Sequence, residues 1–212
     1  MPRPKKRPKF NHQANTNEYL HCLGSMLKWS EILLNQKNEK AYNDFLNWII
    51  TKQYFKDNNE ISIKKIAELS GYNSAKISRW LREIYEDILE LNQKSPGLFY
   101  QEKGFNIELH FKHYDDYCII NLSIPIIPRV YERLEFYFIK AALGTNYFWV
   151  KEITHYIEEN EAQVVVSLNG GLVNKYREFA LEKALFYGNV NFMDVHKKFD
   201  FQIDDELRQL KF

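Results

Sequence analysis

Residues 61–88, ISIKKIAELSGYNSAKISRWLREIYEDI, divide into two apolar-periodic stretches around a glycine. The first puts Ile63, Ile66 and Leu69 at near-helical spacing. Gly71 suits the positive φ that ends such a helix. Asn73 and Ser74 can each cap the next one, because a short polar side chain accepts a bond from an orphan backbone N–H. The second stretch places Ile77, Trp80, Leu81, Ile84 and Ile88 on one face. Its other face opens with Ser74, Ala75, Lys76, Ser78 and Arg79. Two helices joined by a short glycine turn, the second polar and basic outside, are the layout of a DNA-reading helix-turn-helix.

The run from Ile66 to Asn73, continued by Lys76 to Arg79, resembles the helix-turn-helix of lac-repressor-type and related bacterial regulators. Ala67 stands where that pattern keeps a small residue for close helix approach, and Gly71 where it turns. Tyr72 takes the apolar position after the turn, and Ile77 the aliphatic anchor of the second helix. Tyr72 and Trp80 are bulkier than the aliphatics usual there, which suggests a bulkier local core. The match covers about a tenth of the chain, so it implies a module rather than a whole protein. It implies that the start of the second helix enters a major groove. Asn73, Ser74, Ala75, Lys76, Ser78 and Arg79 are then the candidate DNA contacts. Arg79 has the geometry for a bidentate bond to guanine. Lys76 and Ser78 suit phosphate, which positions without specifying. Ala75 can meet a thymine methyl, and Arg82, one turn on, can reach the backbone. The competing reading is a tri-helical unit that binds protein or merely packs, with Lys76 and Arg79 solvated.

The surrounding chain extends this module. Residues 39–55, carrying Ala41, Phe45, Trp48 and Ile49, form a preceding helix. Phe45, Trp48 and Ile49 should pack on Ile66, Leu69, Ile77 and Leu81 as a three-helix core. Residues 17–35 form another amphipathic helix, for core packing or dimerisation alike. After the break at residues 93–97 come two strand-like runs, 98–102 and 105–111, around Lys103-Gly104. A hairpin there would be a wing, with Lys103 at its tip as a phosphate contact or a solvated turn residue.

The N-terminus reads MPRPKKRPKF. Arg3, Lys5, Lys6, Arg7 and Lys9 are interleaved with prolines that favour an extended chain. Such an arm can follow a phosphate backbone or enter a minor groove; it also fits a solubilising tail or an import signal. Residues 1–112 hold 18 Lys and Arg against 13 Asp and Glu, and residues 113–212 hold 11 against 15, so the basic excess lies in the front half.

The back half is β-rich. Runs at residues 117–127, 134–138, 147–156 and 163–168 suggest a compact sheet or small barrel. Residues 172–186 form a closing helix with Val173, Tyr176, Phe179, Ala180 and Ala184 in amphipathic order. The remainder is polar and acidic.

Other chemistry is weakly marked. His110 and His113 fall on opposite faces of an extended chain, a poor metal pair. Asp115-Asp116 and Asp204-Asp205-Glu206 fit solvated turns and tails, and Gly170-Gly171 lacks a phosphate-loop pattern. Tyr147, Phe148, Trp149 and Tyr156 read as core rather than as base-stacking residues. Cys22 and Cys118 read as buried free thiols. With 45 % hydrophobic residues the chain can fill a core, and it has no apolar run of membrane-spanning length.

The expectation is therefore an α+β protein. A basic arm occupies residues 1–16, a winged helix-turn-helix domain residues 17–112, a small β-rich domain with a closing helix residues 113–188, and an acidic tail residues 189–212. The expected function is sequence-specific double-stranded DNA binding, as a cytoplasmic bacterial, plasmid or phage regulator. It is not an enzyme, uses no cofactor or metal, contacts no membrane, and has a homodimer mate or a protein bound by the β-rich domain as further partners. A replication or mobile-element protein and a DNA-free assembly module are the alternatives.

Overall fold

A computed structural model describes residues 12–36, 39–52, 62–159, 161–198 and 200–210. The chain divides into two compact units, Met1–Gly171 and Leu172–Phe212.

The first unit opens with helix α1 (Thr16–Ser25), capped by the Asn15 carboxamide, which accepts from the Glu18 N–H at 2.9 Å. The chain breaks at Met26 and resumes as α2 (Leu27–Asn35). Helix α3 (Asn43–Thr51) buries Phe45, Leu46 and Ile49. Helix α4 (Ile63–Ser70) starts at Ser62, whose hydroxyl accepts from Lys65 N–H, and ends at Gly71 with φ 75°. Helix α5 (Ser74–Lys94) is capped by Asn73, not by Ser74: the carboxamide accepts from Lys76 N–H at 2.8 Å. Its apolar stripe of Ile77, Trp80, Leu81, Ile84, Tyr85 and Ile88 is fully buried. Trp80 packs on Tyr72 and Phe45, with ring centroids 4.9 and 5.5 Å away.

Leu69 departs from the expected core and is 48 % exposed. Steps of three residues fall behind the 3.6-residue turn by about 60° each, so the third member of Ile63, Ile66 and Leu69 rotates off the buried face.

Among the described residues five strands form one sheet, β1 (Phe105–His113), β2 (Asp116–Ile124), β3 (Arg133–Glu135), β4 (Tyr147–Glu158) and β5 (Glu161–Gly170), in the order β2-β1-β5-β4-β3. All neighbours are antiparallel except β1 and β5, which run parallel from Ile107 opposite Val164 to Lys112 opposite Asn169. A short helix, α6 (Lys140–Leu143), precedes β4. Ile107, Leu109 and Phe111 share one buried face with Val164, Val166 and Leu168, and that face packs on the helices in a single core.

The expected wing does not form. Residues 96–99 make a 3-10 turn that buries Phe99 against Trp29, with ring centroids 5.1 Å apart. Strand β1 pairs forward instead, over nine residues with β2, around a turn at Tyr114 and Asp115. Lys103 is an exposed residue just before β1, not a hairpin tip. The longer register wins because it buries an alternating apolar row, and β5 then takes the other edge of β1. The expected division at residue 112 falls inside this hairpin, where Lys112 faces Tyr117.

Helix α5 is fastened to the sheet by Asn92. The carboxamide of Asn92 donates to Asn121 O and accepts from Asn121 N–H, both at 2.8 Å. Strand β2 is an edge, and these are backbone groups an edge strand leaves unpaired. Tyr85 adds a buried bond from its hydroxyl to Phe138 O at 3.0 Å.

The second unit holds α7 (Lys175–Phe186), α8 (Phe192–Lys197) and α9 (Asp200–Gln209). Ala184, Val190, Ile203 and Leu207 form its core, and Arg177 Nε donates to Asp204 Oδ1 at 2.6 Å. The acidic segment expected as a tail is thus helical here and packs with α7. Of the residues expected in amphipathic order on α7, Ala184 is buried, but Tyr176 and Phe179 are 89 % and 64 % exposed. Among the described residues no helix is long and apolar enough to cross a membrane.

Candidate nucleic-acid interface

The α4–turn–α5 unit presents Asn73, Ser74, Ala75, Lys76, Arg79 and Arg82 to solvent. The buried stripe of α5 on Phe45 and Tyr72 leaves these positions on the outside. The structure also shows what each side chain already does.

The Asn73 carbonyl oxygen is committed to its cap. Ser78 is half-buried; its hydroxyl donates to Ser74 O at 2.8 Å and accepts from the Thr16 hydroxyl at 3.0 Å. It therefore joins α5 to the start of α1 and is poorly placed to contact phosphate. The Lys76 ammonium sits over the Trp80 and Tyr72 rings, 4.5 and 5.2 Å from their centroids. Arg79 pairs with Glu83 at 3.4 Å and Arg82 with Glu86 at 2.8 Å, each one turn ahead on the helix.

Lys103 belongs to the approach to β1, and the structure does not bring it to α5 through a wing. The candidate arm residues Arg3, Lys5, Lys6, Arg7 and Lys9 lie outside the described residues. The described chain begins at His12, whose Nε2 pairs with Glu18 at 3.1 Å. The His12 ring lies flush against Gly144, where an added Cβ would come within 2.9 Å of it. Four residues further, Thr16 at the start of α1 meets Ser78. The root of the arm is thereby held beside the first turns of α5.

Lys64 and Lys65, both exposed in the first turn of α4, were not among the residues singled out in the sequence. Their signal is electrostatic. A helix N-terminus carries partial positive charge and favours acids in its first turn. Helices α1, α3 and α7 follow this preference with Glu18, Asp44 and Glu178. Helices α4 and α5 have no acid there and carry Lys64, Lys65 and Lys76 instead. Helices α2 and α6 also lack one and carry Lys28 and Lys140 there, but α2 resumes directly from the break at Met26 and α6 is a single turn that continues the 3-10 turn at Tyr137–Ile139. The starts of two consecutive helices thus each carry positive charge where helix stability alone would disfavour it.

Residues 12–112 contain 13 Lys and Arg and 13 Asp and Glu, so the whole basic excess of the front half resides in the arm. The remaining candidates offer no second site. Among the described residues no group of three His, Cys, Asp or Glu side chains could hold a metal ion. His110 bonds Glu108 on one face of β1, and His113 Nδ1 meets Leu143 O at 2.8 Å. Burial pushes the Cys22 and Cys118 thiols up to about 12, and both are free. Comparison with known protein families, with curated proteins and with solved structures returns no match to the chain.

Proposed function

We propose that this chain binds double-stranded DNA in a sequence-specific manner, with the start of α5 in the major groove and the start of α4 on the flanking backbone. The observation that carries this reading is the inverted charge in the first turns of the two consecutive helices α4 and α5, where Lys64, Lys65 and Lys76 stand without a first-turn acid. Exposed backbone N–H groups and cations at helix starts are suited to phosphate. Arg79, exposed one turn into α5, is the candidate base reader. The arm, rooted beside α5 at Thr16, supplies the long-range attraction that residues 10–212, with 24 Lys and Arg against 28 Asp and Glu, lack. The role is that of a regulator in a bacterium, plasmid or phage; origin or DNA-end recognition in replication would use the same contacts.

The test is selection from randomised duplexes, followed by fluorescence anisotropy over a salt series. Arg79→Ala should weaken the selected duplex by about 5- to 150-fold and relax preference at one position. Lys64→Ala with Lys65→Ala should weaken all duplexes alike and flatten the salt slope by up to about 2. A protein that binds no duplex, or binds with no salt dependence, refutes the proposal.

A further inference from the structure

We infer that Glu83 and Glu86 are specificity determinants, which confine DNA to the first turns of α5 and hold Arg79 and Arg82 away from non-specific phosphate. This rests on the DNA-binding reading above.

The exposed side of α5 changes sign along its length. Ser74 to Arg82 carries Lys76, Arg79 and Arg82 and no acid. The next eight positions carry Glu83, Glu86, Asp87 and Glu90 and no base before Lys94. At 100° per residue, Ala75, Arg79, Arg82 and Glu86 fall within about 60° of one another around the axis. Glu86 therefore continues the line of the reading residues, and Glu83 lies beside it. Asp87 does not join this face: it is tied to Lys40 at 3.0 Å and accepts from the buried Tyr42 hydroxyl.

A helix laid lengthwise in a groove would bring Glu83, Glu86 and Glu90 toward phosphates of like charge. A helix entering by its N-terminal end would not. The first nine residues of α5 span about 12 Å, enough to place Ala75 and Arg79 at the base edges with Arg82 one turn behind them. The acidic stretch then starts at the groove's rim.

The pairing adds a second effect. Arg79–Glu83 and Arg82–Glu86 are exposed ion pairs at i and i+4, and pairs of this kind are weak. A lone phosphate offers the arginine a single charge and competes with the glutamate on similar terms. Carboxylate and phosphate are both anions that can take the guanidinium through two oxygens, so the glutamate offsets phosphate contact at any sequence. A guanine edge adds its two aligned acceptors only at the selected site. The acids thus subtract from binding to any sequence while leaving the bidentate contact available.

The experiment uses the full chain, a randomised duplex and the selected duplex, with anisotropy over a salt series. The Glu83→Gln, Glu86→Gln double variant should bind the randomised duplex about 3- to 10-fold tighter and steepen its salt slope by up to about 2. Its preference for the selected duplex should fall. Glu90→Gln should change neither quantity by more than about two-fold, because that residue stands about 10 Å further along the axis than Glu83. Unchanged affinity and slope in the double variant overturn the inference. An effect of Glu90→Gln as large as that of the double variant overturns the end-on geometry. Wild-type protein that binds no duplex would instead sink the DNA-binding reading itself, so the two failures are distinct.

Discussion

Replacing Asn92 should unfasten α5 from the sheet. The side chain is fully buried, and its two bonds satisfy the N–H and C=O of Asn121 on the edge of β2. Asn92→Ala leaves one donor and one acceptor without partners in a dry site. Each unsatisfied group costs about 1–3 kcal/mol, and the lost amide leaves a void. A total near 3–5 kcal/mol is expected, against a typical domain stability of about 5–15 kcal/mol. Asn92→Leu fills the volume but forfeits the same two bonds, so it should fall in the same range. Asn92→Asp separates the two bonds. As a carboxylate it still accepts from the Asn121 N–H, but its second oxygen faces Asn121 O; protonated, it can donate there. Burial and that contact raise the folded-state pKa of the new aspartate above its unfolded value. The variant should then be closest to wild type in acid and lose stability as pH rises above about 4. All four tryptophans, Trp29, Trp48, Trp80 and Trp149, lie before residue 171, so urea unfolding followed by tryptophan fluorescence reports the first unit alone. The midpoint should drop at constant m-value. Losses under about 1 kcal/mol for both Ala and Leu would refute the idea that this amide fastens helix to sheet.

Other outcomes follow from single features. Gly71→Ala should cost about 1–2 kcal/mol in the same assay, since an added Cβ meets nothing within 4 Å and only the φ of 75° is strained. Deletion of residues 1–9 removes five cations, so the salt slope of DNA binding should flatten by up to about 4.5 without a change in site preference; a changed preference would mean the arm reads bases. Cys22 and Cys118, with thiols pushed up to about 12, should resist a thiol reagent at pH 8 in folded protein and react on unfolding.

Much of the helix-turn-helix was legible because its determinants are local. The Asn73 cap, the left-handed Gly71 and the buried stripe from Ile77 to Ile88 depend on neighbours within a turn or two, and periodicity reports them. The sheet was legible only as a set of strands. Lys103-Gly104 carries the stronger turn signal, yet the hairpin closes at Tyr114, which takes φ 54° without being a glycine. Alternation in residues 105–113 reads the same whichever strand lies beside it, and the parallel partner Val164 is remote in the chain from Ile107.

The candidate site divides in the same way. The sequence alone determined which residues sit on the outer side of α5, because helix geometry places Ala75, Arg79 and Arg82 opposite the apolar stripe. Only the tertiary structure decided what those residues are free to do. Ser78 is bound to Thr16 across 62 positions of chain, and Lys76 is seated on rings brought together by the turn. Asn92 met its edge strand only once the sheet had formed. Contacts between distant segments depend on which surfaces bury each other best, and no local spacing records that choice.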